Sequence, residues 1–501
     1  MNNKKAFWII SIIIISSFVF QLYFSFQTDY FSDEISYFHL RQIENLKENN
    51  FKPSVYDGLS NGGSDLSLSP LFYYLFFWVG FLGSFKEIIL KIIFAALISI
   101  IPLFVYLISR EISSLPSSLF VSSMAAFLPI LFMQSLNKIT PYALVLPVML
   151  YLIYCFINAN KEKYLKQFII LSIIISWIHP AIMILSLSFV IYLILSYGES
   201  VKIPVNKKEI ILFFVMVTAL IQIVIYHQAL SSMGSKIIFQ NLPTSLLSEY
   251  FRDFNLIDLI YVIGTLPPLW GVLGIFYGFK NIRTMDKNKK EIIILISSFI
   301  FTALLLLALK VIKFYIGLVF LGIGLIIISS LSIDKILIRV KNFKFGWALK
   351  YYYIIFVLFM IIIVFFSSYA VSSKIIEKTI TSEEVFCLES IKNDWVHKDF
   401  SVAAPIEEGD YVTYFTGKKN IIDWNLMGVK NIDEKYNNSV DIYKTESSTI
   451  ALNIANKYNV RHIYLSDSTK NKYNKNLFEK NERCFEKICE NNKAEAYRIK
   501  C

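Results

Sequence analysis

Two acidic residues, Asp33 and Glu34, follow the first long apolar block of the chain (residues 7–27) by only a few positions. A carboxylate pair there lies at the lipid boundary, where it takes or orients the proton of an acceptor group held within about 3 Å. Tyr37 follows Asp33 by four residues and Arg41 follows Tyr37 by four, the spacing of one helix face, with His39 between them. Lys138, the His179-Pro180 pair, Arg252-Asp253, and Lys310 with Lys313 are further polar groups that interrupt or border apolar blocks. Cations of this kind suit an anionic substrate, and Arg suits it best because its planar fork bonds two oxygens at once. Each has an ordinary alternative. Asp33 and Glu34 would cap a helix, His179 would cap a helix end, Arg252-Asp253 would be a surface ion pair, and Asp57 and Asp65 among Gly58, Gly62 and Gly63 would form turns.

The elements that carry these residues are mostly apolar. Hydrophobic residues make up 55% of the 501 positions and charged residues 17%, with a mean hydropathy of +0.54. A soluble domain holds about 45–50% apolar and about 25% charged residues. The excess falls in blocks up to residue 371, so a membrane domain is expected over 1–371 and a soluble domain over 372–501. Membrane-length windows lie at 7–27, 87–109, 117–134, 140–158, 209–227, 256–279, 291–309, 314–331 and 351–371. Residues 164–198 are long enough to cross twice, as a hairpin whose tip is Trp177-Ile178-His179-Pro180. Residues 70–83 are short and aromatic, as interfacial segments are.

With 70–83 in the interface, the loops assigned to the cytoplasm hold sixteen Lys and Arg and the opposing short loops five. The excess of positive charge on the inner side selects this arrangement. It predicts about eleven crossings, the N-terminus inside, and the first outer loop (28–86) and the tail outside, in a plasma membrane. The net charge of +11 is thereby assigned to membrane orientation, and no nucleic-acid partner is expected.

Within the first outer loop a helix is expected from Ser32 to Glu48, with Ser32 as N-cap and Tyr37, Leu40, Ile43 and Leu46 on one face. In the tail, Ser382–Asn393 and Ser448–Tyr458 read as helices. Ser401–Ala404, Tyr411–Phe415, Asn420–Ile422, Val460–Leu465, Phe485–Glu490 and Ala494–Ile499 read as strands of a small α/β sheet. Four of the five cysteines lie in the tail, and an exported tail allows a disulfide such as Cys484–Cys489. Asn437-Asn438-Ser439 is a glycosylation sequon.

The stretch Asp33-Glu34-Ile35-Ser36-Tyr37-Phe38-His39-Leu40-Arg41 resembles the first-loop acidic motif of archaeal oligosaccharyltransferase catalytic subunits, within the GT-C superfamily of integral-membrane glycosyltransferases. The resemblance covers the order of parts over about residues 1–280. It implies a polyprenyl-phosphate- or polyprenyl-diphosphate-linked sugar donor and a protein or glycan acceptor at the outer face of the bilayer. It makes Asp33 the catalytic acid with Glu34 its neighbour. His39, Arg41, Lys138, His179 and Arg252 become substrate-binding residues that meet the carrier phosphate. Ser245-Leu246-Leu247-Ser248-Glu249 resembles the family's late-loop stretch and makes Glu249 a further substrate-binding candidate. Asp33 and Glu249 together offer two carboxylates to a divalent cation, Mg or Mn, which often takes one or two from the protein and completes its shell from phosphate. Two departures favour a broader GT-C transferase. The second outer loop, Ser135 to Tyr142, holds no acid, and the family's Trp-Trp-Asp-Tyr-Gly signature is absent, Asp423-Trp424-Asn425 not matching it. A transporter or flippase of lipid-linked glycans and a non-catalytic scaffold of the same fold are the alternatives.

Overall fold

The computed structural model describes residues 3–253, 255–341, 346–394, 400–473, 478, 481 and 483–501. Of the basic residues counted above, Lys344 lies outside the described residues, and the side chains of Lys341 and Lys350 do too. The chain divides into two compact units. One comprises residues 1–28, 88–224 and 250–377; the other comprises 29–87, 225–249 and 378–501.

The first unit is helical. Among the described residues of the whole chain, six helices are long and apolar enough to cross a membrane, and seven if one bent pair forms a single span. That pair, Leu115–Ala126 and Pro129–Ser135, bends by 41°. Pro129 causes the break, because it has no N–H to continue the ladder and its ring clashes with the preceding turn. The window 256–279 is likewise split, into Leu256–Ile263 and Leu266–Lys280, at Gly264 with its φ of 93°. Tyr142–Ile157 and Ile182–Gly198 are shorter apolar helices.

Helices Leu266–Lys280 and Phe314–Lys341 approach closely because glycines line the contact. A Cβ on Gly274 would lie 2.3 Å from the Ile328 carbonyl oxygen, and one on Gly271 would lie 2.7 Å from Leu325 Cδ2. Small residues permit this backbone approach between helices in lipid, where dispersion packing replaces the hydrophobic effect. Near the end of the first helix, Asn3–Ser25, the buried Lys91 ammonium donates to the carbonyls of Ser25 (2.9 Å) and Thr28 (2.6 Å).

The second unit is built on a five-stranded sheet. Its strands in chain order are β3 (Ser401–Ala403), β4 (Lys419–Asn420), β5 (Val460–Ser466), β6 (Phe485–Glu490) and β7 (Ala494–Ile499), after a ribbon of β1 (Tyr56–Asp57) and β2 (Ser64–Asp65) in the first outer loop. The spatial order is β4-β3-β5-β7-β6, parallel through the first three and antiparallel at β7 and β6.

Three expectations are corrected here. Tyr411–Phe415 is not a strand but part of the helix Gly409–Thr416. Its aromatic and β-branched residues favour strand, but its C-terminal end decides. Gly417, left-handed at φ 66°, closes the helix by donating its N–H to the Thr413 carbonyl. The first-loop helix starts one residue later than expected, Glu34–Glu48, with Asp33 rather than Ser32 as N-cap. The disulfides join Cys387 to Cys489 and Cys484 to Cys501. Cys489 lies in extended strand five residues beyond Cys484, about 17 Å away at the rise of a strand, beyond disulfide reach.

At the carboxyl ends of β3 and β5, Glu408 is buried. Its Oε1 accepts from the hydroxyls of Ser466 and Thr469, and its Oε2 has no hydrogen-bond partner. Burial pushes its carboxyl up to about 7, against the lowering effect of those hydroxyls. The folded state therefore holds a proton that the unfolded chain releases near pH 4.5. This contribution is present below pH 4.5 and is lost as the pH rises through about 7. Urea titrations of the full chain at pH 5 and pH 8 should lose about 3 kcal/mol between them from this group. Glu408→Gln should flatten the difference; an unaltered pH slope in that variant would reject the assignment.

Candidate functional site

The first-loop helix is fixed by its apolar face. Tyr37, Leu40, Ile43 and Leu46 are all buried, and the Tyr37 ring meets those of Tyr411, Tyr414 and Phe415 on helix Gly409–Thr416 at centroid distances of 5.0–5.3 Å. This packing orients the helix N-terminus. There the Asp33 carboxylate accepts from the Ser36 backbone N–H at 3.1 Å and from the Ser36 hydroxyl. Capping by Asp33 is thus realised. Asp33 and Glu34 are both half-buried and both act electrostatically on Tyr411.

The other residues of the motif point inward. Arg41 is 6% exposed, and its Nη1 donates to Asp57 at 2.6 Å. Asp57 also accepts from Gln42 Nε2 and from the backbone of Leu59 and Ser60. His39 Nδ1 lies 3.0 Å from the Tyr73 hydroxyl, and burial pushes the imidazole down to about 3, so it is neutral at neutral pH. A neutral ring brings no charge to a phosphate. Glu249 lies near the end of helix Thr244–Tyr250 and is exposed.

Lys138, His179 and Arg252 belong to the helical unit. Lys138 donates to the Met133 carbonyl at 3.0 Å, near the end of helix Pro129–Ser135. His179 Nδ1 accepts from the Ala181 N–H at 3.1 Å, and its ring lies 4.6 Å from that of Tyr142, so the hairpin tip is locally capped. The Arg252 guanidinium lies over the rings of Phe314 and Tyr315, at 4.3 and 4.8 Å. Alongside it, Lys313 stands over Tyr250 and Lys310 pairs with Asp253. These cations and rings form one cluster, and it can hold an anion against flat rings.

Sequence reasoning missed Asp410. It is 1% exposed, and neither carboxylate oxygen has a hydrogen-bond partner. Burial, with Asp423 next, pushes its carboxyl well above the ordinary range, while Arg41 opposes the shift. Burial thus favours the protonated form of the Asp410 carboxyl. Its signal in the sequence is slight, a lone acid between Gly409 and Tyr411 in a stretch that reads as strand. Among the described residues no three His, Cys, Asp or Glu side chains converge as a metal set. A cation at Asp33 or at Glu249 would therefore take most of its shell from substrate oxygens and water.

No family model matches the sequence, and no curated protein matches it by sequence. Solved structures do match in fold. The Archaeoglobus fulgidus oligosaccharyltransferase in its apo form superposes with a TM-score of 0.66 at 13% identity, over 90% of this chain and 69% of that one. The same organism's archaeal oligosaccharyltransferase AglB, in complex with an inhibitory peptide and a dolichol-phosphate, gives 0.63 at 14% identity over the same shares. ArnT from Cupriavidus metallidurans, bound to undecaprenyl phosphate, gives 0.56 at 9% identity over 99% of this chain and 98% of that one. Multi-pass apolar helices, a small α/β domain toward the C-terminus and likeness along nearly the whole of ArnT lead to one conclusion: this chain has the fold of the GT-C integral-membrane glycosyltransferases.

Proposed function

We propose that this protein transfers a sugar or glycan from a polyprenyl-phosphate or polyprenyl-diphosphate carrier to an acceptor at the extracytoplasmic face of the plasma membrane. The observation that carries the reading is the half-buried Asp33 carboxylate, held at the N-terminus of the first-loop helix just beyond a membrane-length helix, in a chain with the GT-C fold. Solved neighbours of that fold hold a dolichol-phosphate and an inhibitory peptide in one case and undecaprenyl phosphate in another, which supports a lipid-linked donor and a peptide acceptor. The two tail disulfides support an extracytoplasmic tail, since such bonds persist in oxidising compartments. The eleven-crossing topology belongs to this reading, with the shorter and broken apolar helices completing the count.

In the reaction the acceptor's nucleophilic atom bonds to the sugar's anomeric carbon, and the bond from that carbon to the carrier phosphate oxygen breaks. Asp33 takes or orients the acceptor proton, and Glu34 keeps the local field negative. Glu249 orients the acceptor. Within the helical unit, Arg252 is the candidate fork for a carrier phosphate, with Lys138 and His179 as further substrate-binding candidates. His39 and Arg41 act from behind, as the buried supports of the Asp33 helix. A divalent cation held by Asp33, Glu249 and phosphate oxygens would neutralise charge on the leaving group.

The test is transfer by the purified full-length chain in lipid nanodiscs, given polyprenyl-phosphate and polyprenyl-diphosphate sugars with peptide or glycan acceptors. A new glycosidic bond on an acceptor supports the reading. Movement of carrier lipid across proteoliposomes without bond formation would replace it with a flippase, and neither outcome would leave a scaffold.

A further inference from the structure

Residues 420–435 of the tail grip two other segments of the same unit. At one end they hold the first outer loop. Asn61, left-handed at φ 53°, donates its N–H to Asn420 Oδ1 (2.7 Å) and its amide to Asp423 Oδ1 (2.7 Å) and to the Asn425 carbonyl (2.8 Å). Its side-chain oxygen accepts from the Asp423 N–H at 3.0 Å, and its carbonyl accepts from Lys435. Ser60 adds a hydroxyl bond to Asp423 at 2.8 Å. Gly428 lets the segment pass so near the β1–β2 ribbon that a Cβ there would lie 2.7 Å from the Asp65 carbonyl oxygen.

At the other end the same segment holds the stretch that leads to Glu249. The Asn241 amide donates to the carbonyls of Leu426 and Val429, both at 2.9 Å. The Asp433 carboxylate accepts from the Thr244 N–H (2.6 Å) and hydroxyl (2.8 Å). Thr244 opens the short helix that carries Glu249, and Asp57, just before Ser60, is tied to the Asp33 helix through Arg41 and Gln42.

We propose that residues 420–435 are a bracket that sets where Glu249 stands relative to Asp33, with Asn241 and Asp433 as positioning residues of the late outer loop. The inference rests on the proposed function for the role of the two carboxylates, but not for the bracket itself. Its two ends differ. The first-loop end is buried, with Asp423, Ser60 and Asn61 at 0–1% exposure, and is permanent. The Thr244–Asp433 end is exposed, so water competes for its bonds, and it governs how firmly Glu249 is presented.

Two variants and a control test this in the full-length protein. Asn241→Gly keeps the left-handed backbone (φ 52°) and removes both donors, and Asp433→Ala removes the acceptor of Thr244. Each should raise backbone amide exchange over 241–249 about tenfold, while exchange over 56–66 stays as in the parent. In the transfer assay each should raise the acceptor KM about tenfold and leave the donor KM and kcat within about twofold. Asp433→Asn, which retains an acceptor oxygen, should restore both readouts. Unchanged exchange over 241–249 in both variants would overturn the bracket. Raised exchange with an unchanged acceptor KM would overturn the positioning role. If the parent shows no transfer at all, the proposed function fails, and the exchange arm still decides the bracket.

Discussion

Asp33→Asn should lower sugar transfer by about a thousandfold, the middle of the range for loss of a general base, with little change in thermal stability. The choice of Asn follows from the geometry. The Asp33 side chain caps the helix through the Ser36 N–H, and Asn caps a helix as well as Asp does. The substitution keeps the cap and removes the charge and the base. Asp33→Ala removes both, and should add a stability loss of about 1 kcal/mol to the same loss of activity. Turnover with a lipid-linked donor, measured beside the thermal midpoint, separates the two roles. Full activity in Asp33→Asn would leave the residue as a helix cap alone.

Asp57→Ala should destabilise the chain by about 3–5 kcal/mol, the cost of stranding one partner of a buried ion pair. Arg41 and Asp57 are both buried, and Arg41 Nε and Nη2 already lack partners. Without Asp57 the guanidinium keeps its burial and loses its counter-charge. The bonds from Gln42, Leu59 and Ser60 go too. The double substitution Arg41→Met with Asp57→Leu should recover much of the loss, because an apolar pair carries no uncompensated charge. Urea unfolding of the parent, the single variant and the double variant checks this. A loss under about 1 kcal/mol in Asp57→Ala would mean that the pair is open to water.

Much of the helical order was legible because lipid imposes a simple rule, a long apolar run. Asn3–Ser25 and Lys287–Ala308 coincide closely with apolar windows. The interruptions were less legible. Pro129 splits one window and Gly264 another, and composition averages over both. In the tail, Ser382–Asn393 was readable from Thr381 and Glu384, which form a capping box. Strands β6 and β7 were readable as two short runs separated by the polar Asn491-Asn492-Lys493. Helix Gly409–Thr416 was not, since its strand-like residues are overruled by burial and by Gly417.

For the candidate site, Asp33 was visible from its place after the first apolar block. The supports were not visible. Asn61 and Asp423 stand 362 positions apart, and no spacing rule joins them. Arg41 and His39 looked like cations awaiting a phosphate, because burial is what turns one into a structural ion-pair partner and the other into a neutral hydrogen-bonding ring. The pairing of four tail cysteines was closed to sequence for the same reason, since only the sheet brings Cys387 beside Cys489.

The ammonium of Lys91 bears on how the chain assembles during synthesis. A lysine within the apolar span Gly83–Arg110 is unfavourable in hydrocarbon by about 2.5–3.5 kcal/mol at mid-depth and less toward the edge. Its acceptors are the Ser25 carbonyl, at the end of the helix Asn3–Ser25 made before it, and the Thr28 carbonyl just beyond. The segment made earlier therefore supplies the acceptors that offset the cost of placing this charge in the later span.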